Sequence, residues 1–273
     1  MATSDAPIEI DHVVLTVRDL DGVARFYETM LGLSVRERTP RRAALGTAER
    51  TLLVLEAAPD APAAPEGSAG LYHTAFLLPD RASLGAFLAH VRDSGLTLDG
   101  AADHAVSEAV YLHDPEGNGI EVYRDRPRSD WQVDGAAIHM ENTRLDFGGI
   151  LDAADTPWQA MPDGSVVGHV HLCVGDTAAA EAFWQETLGF ALTARFATSA
   201  SFLATGGYHH HIGVNTWHSK GAGPRPASAG LRSVHLSADP GTFERVAAGA
   251  ADGDRLTLSD PWQIPIEITR RAA

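Results

Sequence analysis

Residues 11–33 read DHVVLTVRDLDGVARFYETMLGL, and residues 168–190 read GHVHLCVGDTAAAEAFWQETLGF. A constant offset of 157 lays His12 on His169, Leu15 on Leu172, Val17 on Val174, Asp19 on Asp176, Phe26 on Phe183, Leu31 on Leu188 and Gly32 on Gly189. Self-similarity of this length marks a chain that uses one supersecondary unit more than once. In each copy apolar residues alternate. Val13, Leu15 and Val17 share one face and His12, Val14 and Thr16 the other, which specifies a strand. An Asp then stands where a helix would be capped, apolar residues recur at helical spacing, and Leu-Gly closes the turn.

A second pair of stretches repeats the pattern. LYHTAFLLPDRASLGAFLAHV, from Leu71, resembles LRSVHLSADPGTFERVAAGA, from Leu231. Both run on into related hairpins, VYLHDPEGNGIEVYR and LTLSDPWQIPIEITR, where an offset of 146 lays Asp114 on Asp260, Pro115 on Pro261 and Glu121 on Glu267. The chain therefore divides into four strand-helix-strands modules, 8–58, 69–125, 165–218 and 229–271. The expected organisation is a two-module domain over 8–125, a polar Pro/Gly-punctuated connection over 126–164, and a second two-module domain over 165–271.

Bulk properties narrow the function. A length of 273 residues suits two domains, and 44% hydrophobic with 21% charged residues describes an ordinary globular chain. No apolar run approaches the roughly 20 residues that span a bilayer. MATSDAPIEIDHVV has neither a basic nor an apolar leader region, so no secretory signal is expected. Cys173 is the single cysteine and has no intrachain partner, which fits a reducing cytoplasm. A formal charge of −15 argues against a nucleic-acid partner. The expected partners are small molecules, and exposed sheet edges make a homodimer an open expectation.

One hairpin carries more chemistry than a structural strand pair needs. HAVSEAVYLHDPEGNGIEVY, residues 104–123, holds His104, Tyr111, an Asp114-Pro115 turn and Glu121. Asp114-Pro-Glu-Gly117 followed by Asn-Gly makes a tight reversal that would aim Glu121 back toward a cavity.

Four such modules in tandem, with His on a first strand and Glu on a last one, resemble the vicinal oxygen chelate superfamily. Within it, His104, Val110, Tyr111, Asp114, Pro115, Gly117 and Glu121 resemble the motif of type I extradiol ring-cleavage dioxygenases of the catechol 2,3-dioxygenase kind. Ala102, two before the His, departs from that family's preference for Gly or one of a small set of other residues. The resemblance implies an α+β fold of four βαβββ modules in two domains of curved mixed sheets. It also implies Fe(II), with Mn(II) possible, held by two His and one carboxylate, a donor set that leaves adjacent sites open for a diol and O2.

On this resemblance Glu121 and His73 are metal ligands, and the third is a His opening a partner module, either His12 or His169. The family's partner module also brings an acid/base His on its last strand. Module one offers TLLVLEA there, without a His, whereas module three offers YHHHIGVNT over residues 208–216. That favours His169 as ligand and requires modules two and three to pair, leaving one and four together. Read as a strand, His209 and His211 share a face and His210 opposes them. On the resemblance His211 is the expected acid/base, with His209 as the alternative, and Tyr111 and His104 orient the substrate. Module four keeps Glu267 but has Ser233, Ala250 and Thr257 in place of the other groups, with His235 nearby, which suggests a degenerate site.

Taken singly these residues mean less. A lone strand His such as His12 or His171 is ordinarily a hydrogen-bonded structural residue, and Asp19 and Asp176 are better read as caps. The implied reaction is cleavage of catechol or a substituted catechol to a hydroxymuconic semialdehyde. A glyoxalase-type isomerase or lyase and a metal-free binding protein are the alternatives.

Overall fold

The computed structural model describes residues 6–272. Residues 1–5, on which the absence of a leader partly rests, lie outside that range. Among the described residues no helix is long and apolar enough to cross a membrane.

Module one comprises β1 (Ile8–Val17), α1 (Leu20–Met30), β2 (Ser34–Thr39), β3 (Arg42–Gly46) and β4 (Thr51–Ala57). Module two comprises β5 (Gly70–Leu78), α2 (Arg81–Ser94), β6 (Gly100–Asp103), β7 (Ser107–His113) and β8 (Gly119–Asp125). The connection holds a two-residue-strand hairpin, β9 (Val133–Asp134) with β10 (Ala137–Ile138), and the short α3 (Phe147–Asp152). Module three is β11 (Val166–Cys173), α4 (Thr177–Ala182) continued by a wider turn over Phe183–Thr187, β12 (Ala191–Phe196), β13 (Ala200–Ala204) and β14 (Ile212–Asn215). Module four is β15 (Gly230–Ala238), α5 (Pro240–Ala247), β16 (Arg255–Ser259) and β17 (Pro265–Arg270). It has one strand fewer than the others. The run AGAADGD, 248–254, offers no apolar alternation, and Ala248, Gly249 and Gly253 take positive φ there.

Each module helix starts on an Asp whose carboxylate accepts a backbone N–H three residues on: Asp19 from Gly22, Asp80 from Ser83, Asp176 from Ala179 and Asp239 from Thr242. A cap of this kind is worth about 1 kcal/mol, and it sets where strand gives way to helix.

The sheets join modules across the halves of the chain. Eight strands run β12-β13-β14-β11-β5-β8-β7-β6, and seven run β16-β17-β15-β1-β4-β3-β2. Modules two and three thus share one sheet through the antiparallel β5–β11 seam, and one and four share the other through β1–β15. Inside each module the first and last strands are parallel, as β5 with β8 and β11 with β14.

Strand alternation sorts the side chains. Phe76, Leu78, Val110, Leu112, Ile120, Val122, Val170 and Leu172 enter the main core with the helices and with the second sheet. Ala75, Leu77, Ala109 and Tyr123 point the opposite way and form a small apolar floor. On the same face as that floor stand His73, Tyr111, Glu121 and His169, by the period of two.

Candidate metal centre

Three strands bring three side chains that could ligate a metal to one point. His73 comes from β5, Glu121 from β8 and His169 from β11. Glu121 Oε2 lies 3.0 Å from His73 Nε2 and 3.1 Å from His169 Nε2. One ligand atom from each falls within 4.8 Å of the other two, and among the described residues no other set of three His, Cys, Asp or Glu groups converges so closely.

Local sequence explains the aim of each. Asp114 Oδ1 accepts the backbone N–H groups of Glu116 and Asn118, and Gly117 takes φ 84°, so the Asp-Pro turn reverses β7 into β8 with Glu121 facing inward. Asp260 does the same for module four, accepting from Trp262 and Ile264. Along β11 the pairing with β5 shifts between Val167 and His169, a bulge at Gly168. A Cβ on Gly168 would lie 1.8 Å from Tyr123 Oη, so glycine there lets Tyr123 pack beneath the ligands.

The electrostatics suit a cation. Burial alone would push the Glu121 carboxyl up, but the charges of His169 and His73 and the His169 hydrogen bond outweigh it and hold it well below the usual range. Burial drives the His169 imidazole down to about 4, against the pull of Glu121, so it presents a lone pair at neutral pH. His73 Nε2 is buried with no hydrogen-bond partner among the described residues, although Glu121 is in reach. An orphaned buried imidazole nitrogen beside an ionised carboxylate is what a divalent cation would satisfy. The residues present fit a metal of the Fe, Mn or Zn type.

The triad floors a cavity of about 880 Å³. On one wall Tyr111 Oη is 2.7 Å from His104 Nε2, and His104 Nδ1 is 3.0 Å from the Glu141 carbonyl. Burial and the Glu121 charge push the Tyr111 phenol well up, so it stays protonated. Across from it stand Phe202, Trp217, His171 and His210. The His210 ring centroid is 4.0 Å from that of His169. His171, two residues beyond His169, packs 5.0 Å from His73.

His211, expected on this wall, is elsewhere. It is fully buried against Phe190 and Tyr208, its Nδ1 accepts the Thr205 N–H at 3.3 Å, and burial takes it down to about 3. The reason is one of phase. Strand β14 begins only at Ile212, and the approach from Gly206 and Gly207, both at positive φ, is a bend. Alternation counted back through the three histidines slips by one, and His210 takes the cavity side.

A family model described as the Glyoxalase/Bleomycin resistance protein/Dioxygenase superfamily matches residues 9–122 and 166–265. The chain belongs to that superfamily. Within it, the chain is 45% identical over 225 residues to the catechol-2,3-dioxygenase of Bacillus subtilis, covering 81% of this chain and 79% of that protein. It is 31% identical over 135 residues to biphenyl-2,3-diol 1,2-dioxygenase 3 of Rhodococcus globerulus, covering 48% of this chain and 66% of that one. Among solved structures, glyoxalase I from Zea mays aligns over 96% of this chain and 92% of its own with a TM-score of 0.57 at 15% identity, a likeness of fold.

The second superfamily sheet carries no comparable centre among the described residues. His12 lies there, stacked on His235 at 4.1 Å, with His12 Nδ1 2.7 Å from Asp11. His235 Nε2 pairs with Ser233 Oγ, and its Nδ1 is 3.7 Å from Glu267.

Proposed function

We propose that this protein is an Fe(II)-dependent extradiol dioxygenase that opens the ring of catechol or a substituted catechol with O2, giving a hydroxymuconic semialdehyde. What carries the reading is one cavity in which a two-histidine, one-carboxylate set meets two hydrogen-bonding arms that are not part of it. The names of the two dioxygenase relatives support the reaction class. Fe(II) held by His73, His169 and Glu121 would gather diol and O2 on one face and pass electrons between them, and Mn(II) suits the same donors.

The arms act on the substrate. The Glu141 carbonyl can only accept, so a neutral His104 carries its proton on Nδ1 and offers Nε2 as acceptor. Tyr111 then donates to His104, which leaves its oxygen lone pairs to accept from a substrate hydroxyl. That contact fixes one catechol oxygen and, with it, the plane of the ring. His210, on the opposite wall, takes the place expected of His211. Its imidazole receives the proton that the second hydroxyl loses on binding and returns it as the ring opens. Phe202 and Trp217 add apolar surface to the same cavity, against which the substrate ring would pack. The cavity is near the upper end of the roughly 300–1,000 Å³ typical of small-molecule sites, which leaves room for a substituent beyond the diol.

The test is anaerobic reconstitution with Fe(II), then addition of catechol or a bulkier 3-substituted catechol in air-saturated buffer. A yellow ring-fission product that needs both Fe(II) and O2 is the expected result. Stoichiometric metal uptake with no oxygen consumption on any catechol would overturn it.

A further inference from the structure

The three consecutive histidines do different things, and the middle one is wired to a carboxylate through its neighbour. His209 Nε2 is 2.8 Å from Asp125 Oδ1, and His209 Nδ1 is 2.7 Å from His210 Nδ1. Asp125 ends β8, the strand that also carries Glu121, and by the strand period Glu121, Tyr123 and Asp125 share a face. One strand thus supplies a carboxylate to the metal centre at one position and a carboxylate to the His pair four residues on.

We propose that Asp125 and His209 are positioning residues that set the tautomer of His210, so that its cavity-facing nitrogen carries a lone pair. The inference rests on the dioxygenase reading for its catalytic meaning, but the hydrogen-bond logic is independent of it. An ionised carboxylate only accepts, so His209 donates from Nε2 to Asp125. A neutral His209 then has an acceptor at Nδ1. The contact between the two Nδ1 atoms needs one proton, and it must come from His210. His210 is left with its proton on Nδ1 and an unprotonated Nε2, the nitrogen His209 does not engage, on a ring that lines the cavity. A group that must receive a proton from a bound hydroxyl needs that form.

Burial argues that this arrangement is not incidental. His209 is fully buried, with Tyr208 at 4.0 Å and Trp131 at 5.2 Å between ring centroids. It does not line the cavity, so it has no substrate to touch. An apolar side chain would fill the same space without the desolvation cost of an imidazole and a carboxylate. The same device is present across the cavity, where the Glu141 carbonyl takes the Nδ1 proton of His104. There the His104 Nε2 lone pair accepts from the Tyr111 hydroxyl.

The experiment compares Asp125→Ala and His209→Phe with the wild-type chain, alone and in a His210→Ala background. The full chain loaded with diamagnetic Zn(II) gives the tautomer by long-range 15N–1H correlation of the histidine rings. The expected wild-type spectrum has His210 Nε2 unprotonated, and either substitution shifts it toward a tautomer mixture. In the Fe(II) enzyme, kcat on catechol should fall about 10- to 100-fold. KM and metal stoichiometry should each stay within twofold. Asp125→Ala should cost less than twofold once His210 is already Ala. An unchanged tautomer, or an equal loss of kcat with and without His210, overturns the proposal. His209→Phe keeps the ring volume and serves if Asp125→Ala does not fold. If the wild-type chain cleaves no catechol, the functional reading falls, and the tautomer spectrum alone still decides this one.

Discussion

Removing one ligand should separate the two candidate histidines of the first strands. His169→Ala leaves an incomplete set, as Glu121→Ala does, and metal content measured after dialysis should fall well below one per chain. His12→Ala, on the other sheet beside His235, should retain it. On the catalytic side, His210→Phe should lower kcat by about 100- to 10,000-fold, the usual scale of a lost acid/base, with metal still bound. His211→Leu should leave kcat within about threefold, because that ring lies in the core behind the wall. These two neighbours show what was legible in residues 208–211 and what was not. The composition of the run marked it for the site, and module completeness chose His169 over His12. Which ring of the three enters the cavity depends on where β14 starts, and a bend after two left-handed glycines is not visible to a period-of-two count. His171 was passed over for a related reason. Its face was readable from His169, but a lone strand histidine is usually structural, and only the seam places it beside His73.

At the scale of elements, the seam between β5 and β11 bears the demand for close approach. Gly168 sits at the bulge over Tyr123 Oη, which is 2.8 Å from Tyr208 Oη. Gly168→Ala should therefore destabilise by about 1–3 kcal/mol, the usual range for overpacking, measured as a shift in denaturant midpoint. Tyr123→Phe removes the clashing oxygen, and the double variant should recover part of the loss. Capping was readable from Asp19 and Asp176 alone, because the side chain and the N–H it accepts lie three residues apart. The missing strand of module four was harder to see. The repeat with module two carries across the helix and the final hairpin, and only residues 251–255 fall between the two matched stretches.

For the whole molecule, buried neutral imidazoles imply acid lability. His211 binds its proton near pH 6.5 in the unfolded chain and only at about 3 when folded. Between those values the unfolded chain holds more protons, so stability rises with pH and is lost as pH falls from 6.5 toward 3. By linkage the loss reaches roughly 5 kcal/mol for this residue at the low end, with His169 adding to it in metal-free protein. Urea unfolding of the metal-free chain from pH 7 to 4 should show the decline, and His211→Leu should make it shallower.

The pairing of module two with three inside the pairing of one with four is a nesting, like one bracket enclosed by another. The β5–β11 seam joins His73 to His171, and the β1–β15 seam joins Val13 to Val234. The outer loop is a little over twice the inner, which by chain-closure entropy adds only about 0.7 kcal/mol. Timing is affected more than stability. During synthesis the reacting sheet is complete once β14 has emerged, while β1, made first, waits for β15 with an unpaired edge. The strand that begins the chain's architecture is thus among the last to be closed off, and a pause in translation before module four would expose it longest.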